Sequence, residues 1–268
     1  MNQNITFIGG GNMASAIIGG IIDSGLASKE QITATAKTAK TCSSLEERFG
    51  IHTSQDNKKA AETADILFLA VKPFLFSEVI AEIKDSVKKE ALIISIAAGQ
   101  PITSIESMFS NSIKLVRAMP NTPALVGEAM SALCVNDNVT EEELGIAVDI
   151  FNSFGKCEVI KESLMDAVVG VSGSSPAYVY MFIEAMADAA VADGMPRAQA
   201  YKFAAQSVLG SAKMVLETGT HPGALKDAVC SPGGTTIEAV AVLEEKGLRN
   251  AVITAQRACA QKSRDMSK

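Results

Sequence analysis

Residues 9–14, Gly9-Gly10-Gly11-Asn12-Met13-Ala14, directly follow a short β-rich run and open a helical pattern. Their spacing fits G-x-G-x-x-A. The first glycine of that pattern permits a tight turn, the second lets the backbone approach a diphosphate, and Ala14 keeps the helix close to the strand. Because the helix N-terminus would then face an anion, we interpret the segment as a dinucleotide-binding loop rather than a purely structural turn.

Short β-rich runs alternate with helical patterns along the first part of the chain, which favours a parallel sheet with crossover helices. Two further apolar runs, at residues 129–135 and 156–160, flank a helical pattern and are candidates to extend the sheet. The principal predicted strands are residues 5–8, 32–36, 66–71, 92–97 and 115–118.

The composition changes after Leu164, where Ala, Met and Leu dominate and strand patterns disappear. We therefore predict an α/β then all-α chain, with a Rossmann-like dinucleotide-binding domain at residues 1–162 and a helical substrate-binding and dimerisation domain at residues 163–268. Helices are predicted at residues 177–192, 196–216, 237–245 and 248–262.

The Ala-rich segment 185–192 carries few charges, so an exposed face there would leave an apolar patch. Such patches usually mark subunit interfaces, and we expect a homodimer or higher oligomer. The alternative is that these helices pack only on each other within one subunit.

The net charge of −6 and the pI near 5.1 oppose a general attraction to nucleic acid or to anionic membranes. We therefore expect small-molecule partners. The five cysteines form no C-x-x-C pair and only two histidines accompany them, so we expect free thiols, no metal site and no His-based triad. We see no secretory signal and no apolar stretch of membrane-spanning length, and we expect a cytoplasmic protein.

The segment after the second predicted strand indicates which nicotinamide cofactor is bound. NAD-selective sites usually carry Asp or Glu there, whereas residues 32–44 contain no acid and offer Thr35, Lys37, Thr38, Lys40 and Thr41. These side chains suit a 2'-phosphate, so we expect NADPH to be preferred and NADH to be used more weakly. The alternative is a solvated loop with ordinary lysines.

Two later strand ends are further candidates, because ligands of open parallel sheets collect at the carboxyl ends of strands. Ala70-Val71-Lys72-Pro73 and Ala97-Ala98-Gly99 leave small side chains and backbone where a nicotinamide ring could lie. Ordinary loop geometry is the alternative for both.

Ser231-Pro232-Gly233-Gly234-Thr235-Thr236 precedes a second helical pattern. Its amides and hydroxyls would lie at a helix N-terminus and suit an anion the size of a carboxylate. A simple threonine N-cap is the alternative.

Together these segments resemble the pyrroline-5-carboxylate reductase family along essentially the entire chain. The resemblance is carried by Phe7-Ile8-Gly9-Gly10-Gly11-Asn12-Met13-Ala14, Ala70-Val71-Lys72-Pro73, Met119-Pro120-Asn121-Thr122-Pro123, Ser172-Gly173-Ser174-Ser175-Pro176-Ala177-Tyr178, and residues 221–236 from His221-Pro222-Gly223 through Asp227 to Thr236. Ser175 departs from the family pattern, which usually has Gly there.

The resemblance implies reduction of 1-pyrroline-5-carboxylate to L-proline, with NADPH as hydride donor and paired C-terminal helices in a dimer. It places Ala36, Lys37 and Thr38 at the 2'-phosphate, Asn57 at the adenosine ribose, and Val71, Lys72 and Ala97 at the nicotinamide half. The implied cofactor contacts are Ile8, Gly9, Gly10, Gly11, Asn12, Met13, Ala36, Lys37, Thr38, Asn57, Val71, Lys72, Pro73 and Ala97. The implied substrate contacts are Glu162, Ser231, Gly233, Gly234, Thr235 and Thr236, with the Thr236 hydroxyl reaching the ring nitrogen as the catalytic group.

Two other functions remain open from the residues alone. A β-hydroxyacid dehydrogenase needs a general acid-base residue, and Lys161 is the nearest candidate. A redox sensor would bind the cofactor without turnover, although the loop from Ser231 to Thr236 argues against it.

Overall fold

In the computed structural model, which describes residues 1–266, eight strands form one sheet in the order β3-β2-β1-β4-β5-β6-β7-β8. The strands from β1 to β6 are mutually parallel. They are β1 Ile5–Ile8, β2 Ile32–Thr35, β3 His52–Ser54, β4 Ile66–Leu69, β5 Leu92–Ser95, β6 Lys114–Met119, β7 Ala129–Val135 and β8 Gly155–Val159.

The central strands are buried on both faces, as parallel strands covered by helices must be. β1, β4 and β5 are buried at every position, and Phe7 stacks on Phe68 with ring centroids 4.4 Å apart. Apolar side chains of the two sheet faces form separate clusters with the helices. The helices of this part are α1 Asn12–Asp23, α2 Ala39–Phe49, α3 Asn57–Thr63, α4 Phe76–Ile83, α5 Ile102–Met108, α6 Glu141–Asn152 and α7 Met165–Val168.

The five principal strand predictions are confirmed, although the strands end earlier than expected at residues 35, 69 and 95. Residues 36, 70–71 and 96–97 therefore lie in the loops after the strands. β3 was not predicted, because His52-Thr53-Ser54 is polar and lies at the sheet edge. The two candidate extensions also join the sheet, as β7 and β8.

The predicted parallel sheet is confirmed from β1 to β6, whereas β7, whose direction was not predicted, runs antiparallel to β6, and β8 runs parallel to β7. The cause is the connection between β6 and β7, which spans only residues 120–128 and contains the short 3-10 turn Thr122–Val126. A parallel crossover needs a dozen or more residues, so this chain reverses direction instead.

The chain divides into two compact units, one formed by Met1–Ser174 with the segment from Ala258 and the other by Ser175–Arg257. The second unit is helical, which confirms the predicted order of an α/β part and an all-α part. Its helices are α8 Ser175–Ala192, α9 Arg197–Thr218, α10 Pro222–Ala228 and α11 Thr235–Glu245, and α12 Leu248–Met266 runs from this unit into the first. The boundary between residues 162 and 163 stays a prediction.

Helices α8 and α9 expose large apolar side chains, as the interface prediction requires. Met181 is 69% exposed, Phe203 68% and Leu216 83%. α10 and the π-helical turn Val169–Gly173 were not predicted. Among the described residues, no helix combines the length and apolar character that crossing a bilayer requires.

Candidate active site

Gly9 turns the chain out of β1 with a backbone that only glycine adopts easily. Its φ is +108°, and a Cβ atom placed there would lie 2.7 Å from the carbonyl oxygen of Ala70. Its amide donates a hydrogen bond to Thr35 Oγ1 at 3.2 Å. The predicted role of this glycine in a tight turn therefore agrees with its geometry.

The start of α1 is open to a ligand. Gly11 is its N-cap with no side-chain hydrogen bond to the first turn, and a Cβ atom at Gly11 would meet nothing within 4 Å. Gly10 differs, since a Cβ atom there would lie 2.5 Å from Leu45 Cδ1. The first-turn amides, which begin at Asn12 and Met13, thus face open space at the positive end of the helix, an arrangement that suits a diphosphate.

The loop after β2 presents a cation and hydroxyl groups. Lys37 is exposed, and its carbonyl oxygen accepts a hydrogen bond from Gln55 Nε2 at 3.0 Å. Thr38 is the N-cap of α2 and accepts a hydrogen bond from the amide of Thr41 at 3.2 Å. Ala36 is half-buried beside them. Without any acidic side chain, this turn fits a phosphate better than a ribose hydroxyl pair.

The other predicted cofactor residues lie at the same carboxyl edge of the parallel strands. Asn57 follows β3 at the start of α3, and its Nδ2 donates to Glu82 Oε2 at 2.9 Å. Ala97 follows β5 and is 5% exposed, while Lys72 is exposed and precedes the turn Pro73–Leu75. Ile8, Gly9, Gly10, Gly11, Asn12, Met13, Ala36, Lys37, Thr38, Asn57, Val71, Lys72, Pro73 and Ala97 are thus all in the first unit, at or just beyond the ends of β1 to β5.

Glu162 also lies in the first unit, at the start of the turn Glu162–Leu164. Its Oε1 accepts hydrogen bonds from Arg117 Nη1 at 2.7 Å and from the amide of Ile102 at 2.8 Å. Arg117 is only 5% exposed. Sequence analysis missed Arg117, although one arginine inside the apolar run Leu115-Val116-Arg117-Ala118 is a signal, because a buried charge requires a partner.

The second glycine loop lies in the second unit. Gly233 has a φ of +66°, the Gly234 amide donates to Ser231 O at 3.0 Å, and a Cβ atom at Gly234 would lie 2.4 Å from Ser231 Oγ. Gly234 is the N-cap of α11 and makes no side-chain cap. The alternative of a threonine N-cap is therefore wrong, since Thr235 and Thr236 are the first two residues of the helix. Their amides are available to an anion.

Among residues 1–266, no group of three or more His, Cys, Asp and Glu side chains is placed to hold a metal ion. Burial raises the pKa of the Cys134 thiol to about 11, with a smaller contribution from the Glu162 carboxylate. A thiol in that state is protonated near neutral pH and is a poor nucleophile.

Two family models match the chain, one toward each end. Residues 162–266 match the family described as pyrroline-5-carboxylate reductase dimerisation. Residues 4–99 match a family described as NADP oxidoreductase, coenzyme F420-dependent.

Individual proteins match along their full length. The pyrroline-5-carboxylate reductase of Escherichia coli K12 is 55% identical over 268 residues, which is 100% of both chains. The solved structure of a pyrroline-5-carboxylate reductase from Coxiella burnetii is 37% identical with a TM-score of 0.92 and 100% coverage of both chains. That of the Plasmodium falciparum enzyme with NADP bound is 35% identical with a TM-score of 0.90, and the match covers 100% of this chain and 99% of that one.

The glycine turn, the uncapped starts of α1 and α11 and these full-length matches all agree with the resemblance carried by the sequence motifs. The chain belongs to the pyrroline-5-carboxylate reductase family.

Proposed function

We propose that this chain reduces 1-pyrroline-5-carboxylate to L-proline, the last step of proline biosynthesis, with NADPH as the preferred reductant. The observation that carries the proposal is the pair of uncapped helix N-termini, at Gly11 and at Gly234, each preceded by a glycine turn. One suits the diphosphate of a dinucleotide and the other a carboxylate. Reduction of 1-pyrroline-5-carboxylate, the activity for which the matched family is named, requires both ligands.

The residues at the edge of the parallel sheet fit NADPH. The amides at the start of α1 would hold its diphosphate, and Lys37 with Thr38 would hold its 2'-phosphate. Ala36 would border that phosphate, Asn57 would lie by the adenosine ribose, and Ala97 would lie beside the nicotinamide half. The bound cofactor supplies a hydride from C4 of its nicotinamide ring. NADH lacks the 2'-phosphate and gains nothing from Lys37, so we expect it to be used more weakly.

The loop before α11 fits the substrate carboxylate. The amides near Gly234 and Thr235 would hold it, Ser231 and Gly233 would shape the loop, and Glu162 would be a further substrate contact. The carbon of the C=N bond receives the hydride, the π electrons of that bond move to the nitrogen, and the nitrogen takes its proton from solvent water. Thr236 would donate a hydrogen bond at that nitrogen as charge changes there.

An iminium carbon accepts hydride without a strong acid or base, so the protein acts mainly by alignment. The matched loops accordingly need no catalytic His or Cys. Neither alternative activity gains support from the relatives, and Lys161, the candidate base of a hydroxyacid dehydrogenase, is an exposed residue that precedes Glu162.

The proposal includes self-association through the C-terminal helices. The exposed apolar side chains of α8 and α9 support it, as does the match of residues 162–266 to a dimerisation family. We also propose that the enzyme works in the cytoplasm, as its biosynthetic relatives suggest.

Steady-state oxidation of NADPH by the purified chain tests the proposal. We expect oxidation on adding 1-pyrroline-5-carboxylate and none on adding short ketones derived from hydroxyacids. Oxidation with the ketones alone would point to the dehydrogenase, and no oxidation with either would point to the sensor.

Thr236→Ala then tests the substrate loop. We expect it to lower kcat with a smaller effect on the KM for NADPH, because it removes a hydrogen bond needed as the nitrogen gains its proton. Thr220→Ala is the matched control, since Thr220 is exposed in the same unit and outside the loop. Unchanged kinetics in Thr236→Ala would remove Thr236 from the mechanism.

A further inference from the structure

Arg117 is a charged side chain in the interior of the sheet. It lies in β6, in register with Ser95 of β5 and Cys134 of β7, and is 5% exposed. Its Nη1 donates to Glu162 Oε1 at 2.7 Å, across 45 positions of sequence. A buried guanidinium is costly unless a carboxylate pairs with it, so Arg117 and Glu162 constrain each other's position.

The same Glu162 oxygen has a second donor. The amide of Ile102, the first residue of α5, donates to Oε1 at 2.8 Å. One carboxylate oxygen therefore joins β6, the segment after β8 and the start of α5. The turn at residues 96–101 lies directly before that amide and includes Ala97, the predicted neighbour of the nicotinamide.

The other oxygen of Glu162 is differently placed. Oε2 makes no hydrogen bond to any described residue, and the Glu162 side chain keeps 34% of its surface exposed. Oε1 is thus committed to the protein while Oε2 can accept a hydrogen bond from a ligand. Such an arrangement fixes the direction of a carboxylate that contacts substrate.

We infer that Arg117 is a positioning residue for the reaction, holding the Glu162 carboxylate and, through it, the turn 96–101. The inference rests on the proposed function, and it extends that function to a residue outside both ligand loops. Stability alone does not account for the pair, because replacing a buried ion pair by apolar side chains is often neutral or favourable.

Arg117→Met is the main test, with Lys114→Met as its matched control. Lys114 lies in the same strand and pairs with Glu143 at 2.7 Å, outside the site, so both variants exchange a paired cation for methionine. We expect Arg117→Met to lower the Tm, because removing one partner of a buried ion pair leaves the other unpaired, so the kinetics of all variants are compared well below the lowest Tm. We expect its kcat/KM for 1-pyrroline-5-carboxylate to fall about 10- to 100-fold, as small misplacements of reacting groups do.

A second measurement needs no turnover. In the ligand-free protein, hydrogen exchange of the peptide covering residues 96–105 should be faster in Arg117→Met than in the wild type or Lys114→Met, because the Ile102 amide loses a fixed acceptor. Arg117→Lys should recover part of both effects, since the Lys ammonium can still donate to Oε1. If Arg117→Met does not fold, the positioning role is tested by comparing the kinetics and hydrogen exchange of Arg117→Lys with those of Lys114→Met.

The outcomes separate the inference from the proposed function. If the wild type fails to oxidise NADPH with 1-pyrroline-5-carboxylate, the proposed function falls, and the inference falls with it. If the wild type is active while Arg117→Met matches Lys114→Met in kcat, KM and exchange, only the positioning role of Arg117 is overturned. The positioning role would also be overturned if the loss of activity in Arg117→Met and Lys114→Met is explained in both variants by the fall in Tm.

Discussion

The amide of Gly9 and the hydroxyl of Thr35 join the ends of two neighbouring strands by a hydrogen bond of 3.2 Å. Thr35 is 1% exposed, and its Oγ1 also donates a hydrogen bond to the carbonyl oxygen of Phe7 at 3.4 Å. The residue that ends β2, just before the turn predicted to bind the 2'-phosphate, therefore also supports the glycine loop after β1.

Thr35→Val should destabilise the fold and weaken cofactor binding together. Valine keeps the volume but leaves the half-buried Gly9 amide without its acceptor, which costs about 1 kcal/mol. Urea unfolding and NADPH titration measure the two effects. Thr35→Ser retains the hydroxyl and should stay closer to the wild type; equal losses in both variants would contradict the role of the hydrogen bond.

Gly9→Ala and Gly11→Ala should separate folding from binding. Gly9→Ala forces a side chain to a φ of +108° and against the Ala70 carbonyl, so we expect a loss of more than about 2 kcal/mol of unfolding free energy. Gly11→Ala meets no atom within 4 Å and should change stability by less than about 0.5 kcal/mol.

The two substitutions should affect NADPH binding in the opposite order from stability, with the larger direct effect in Gly11→Ala. Alanine at Gly11 places a methyl group where the diphosphate would approach, so we expect NADPH affinity to fall about tenfold or more in this stable variant. Calorimetric titration of the folded protein measures it. Wild-type affinity in Gly11→Ala would exclude the open space at the start of α1 as the diphosphate site.

Lys37→Asp should raise the KM for NADPH about tenfold or more and leave that for NADH nearly unchanged. The substitution replaces a cation near the expected 2'-phosphate with an anion, and a charged hydrogen bond is worth about 1.5–3 kcal/mol. Lys89→Asp, at another exposed lysine, is the control with the same change of net charge. Parallel changes for both cofactors would contradict the phosphate assignment.

Cys134 should make the fold less stable in alkaline solution. Burial raises the pKa of its thiol from 9.0 to about 11, so the unfolded chain loses the proton first. The contribution is fully present below pH 9 and declines by about 2–3 kcal/mol as the pH rises toward 11. Comparing urea unfolding of the wild type and Cys134→Val at neutral and alkaline pH isolates this group; identical pH slopes would refute it.

Local patterns made much of this architecture predictable. The strands rich in β-branched residues, the glycine turn at Gly9 and the helix starting near Asn12 each follow from a few adjacent residues. β3 escaped prediction because its three residues are polar, and its strand exists only through pairing with β2. The direction of β7 depends on the length of a connection rather than on the strand itself.

The candidate site was predictable from the sequence only in part. The sequence indicated both glycine loops, because the need for positive φ or for open backbone amides is local to the glycines. It did not indicate the Arg117–Glu162 contact, which joins residues 45 positions apart through the folded sheet. The assignment of Thr38 as the N-cap of α2 likewise required the structure.

Because the chain reverses direction at β7, the number of residues in β8 determines where Glu162 lies relative to Arg117. Because β7 and β8 run opposite to β6, Val159 at the end of β8 pairs with Leu133, the neighbour of the residue that pairs with Arg117, and Glu162 follows three residues later. Successive side chains of a strand point to opposite faces, so removing one residue from Gly155–Val159 would turn those that follow to the wrong side. Insertions and deletions in this edge strand should therefore be tolerated far less well than its exposure suggests.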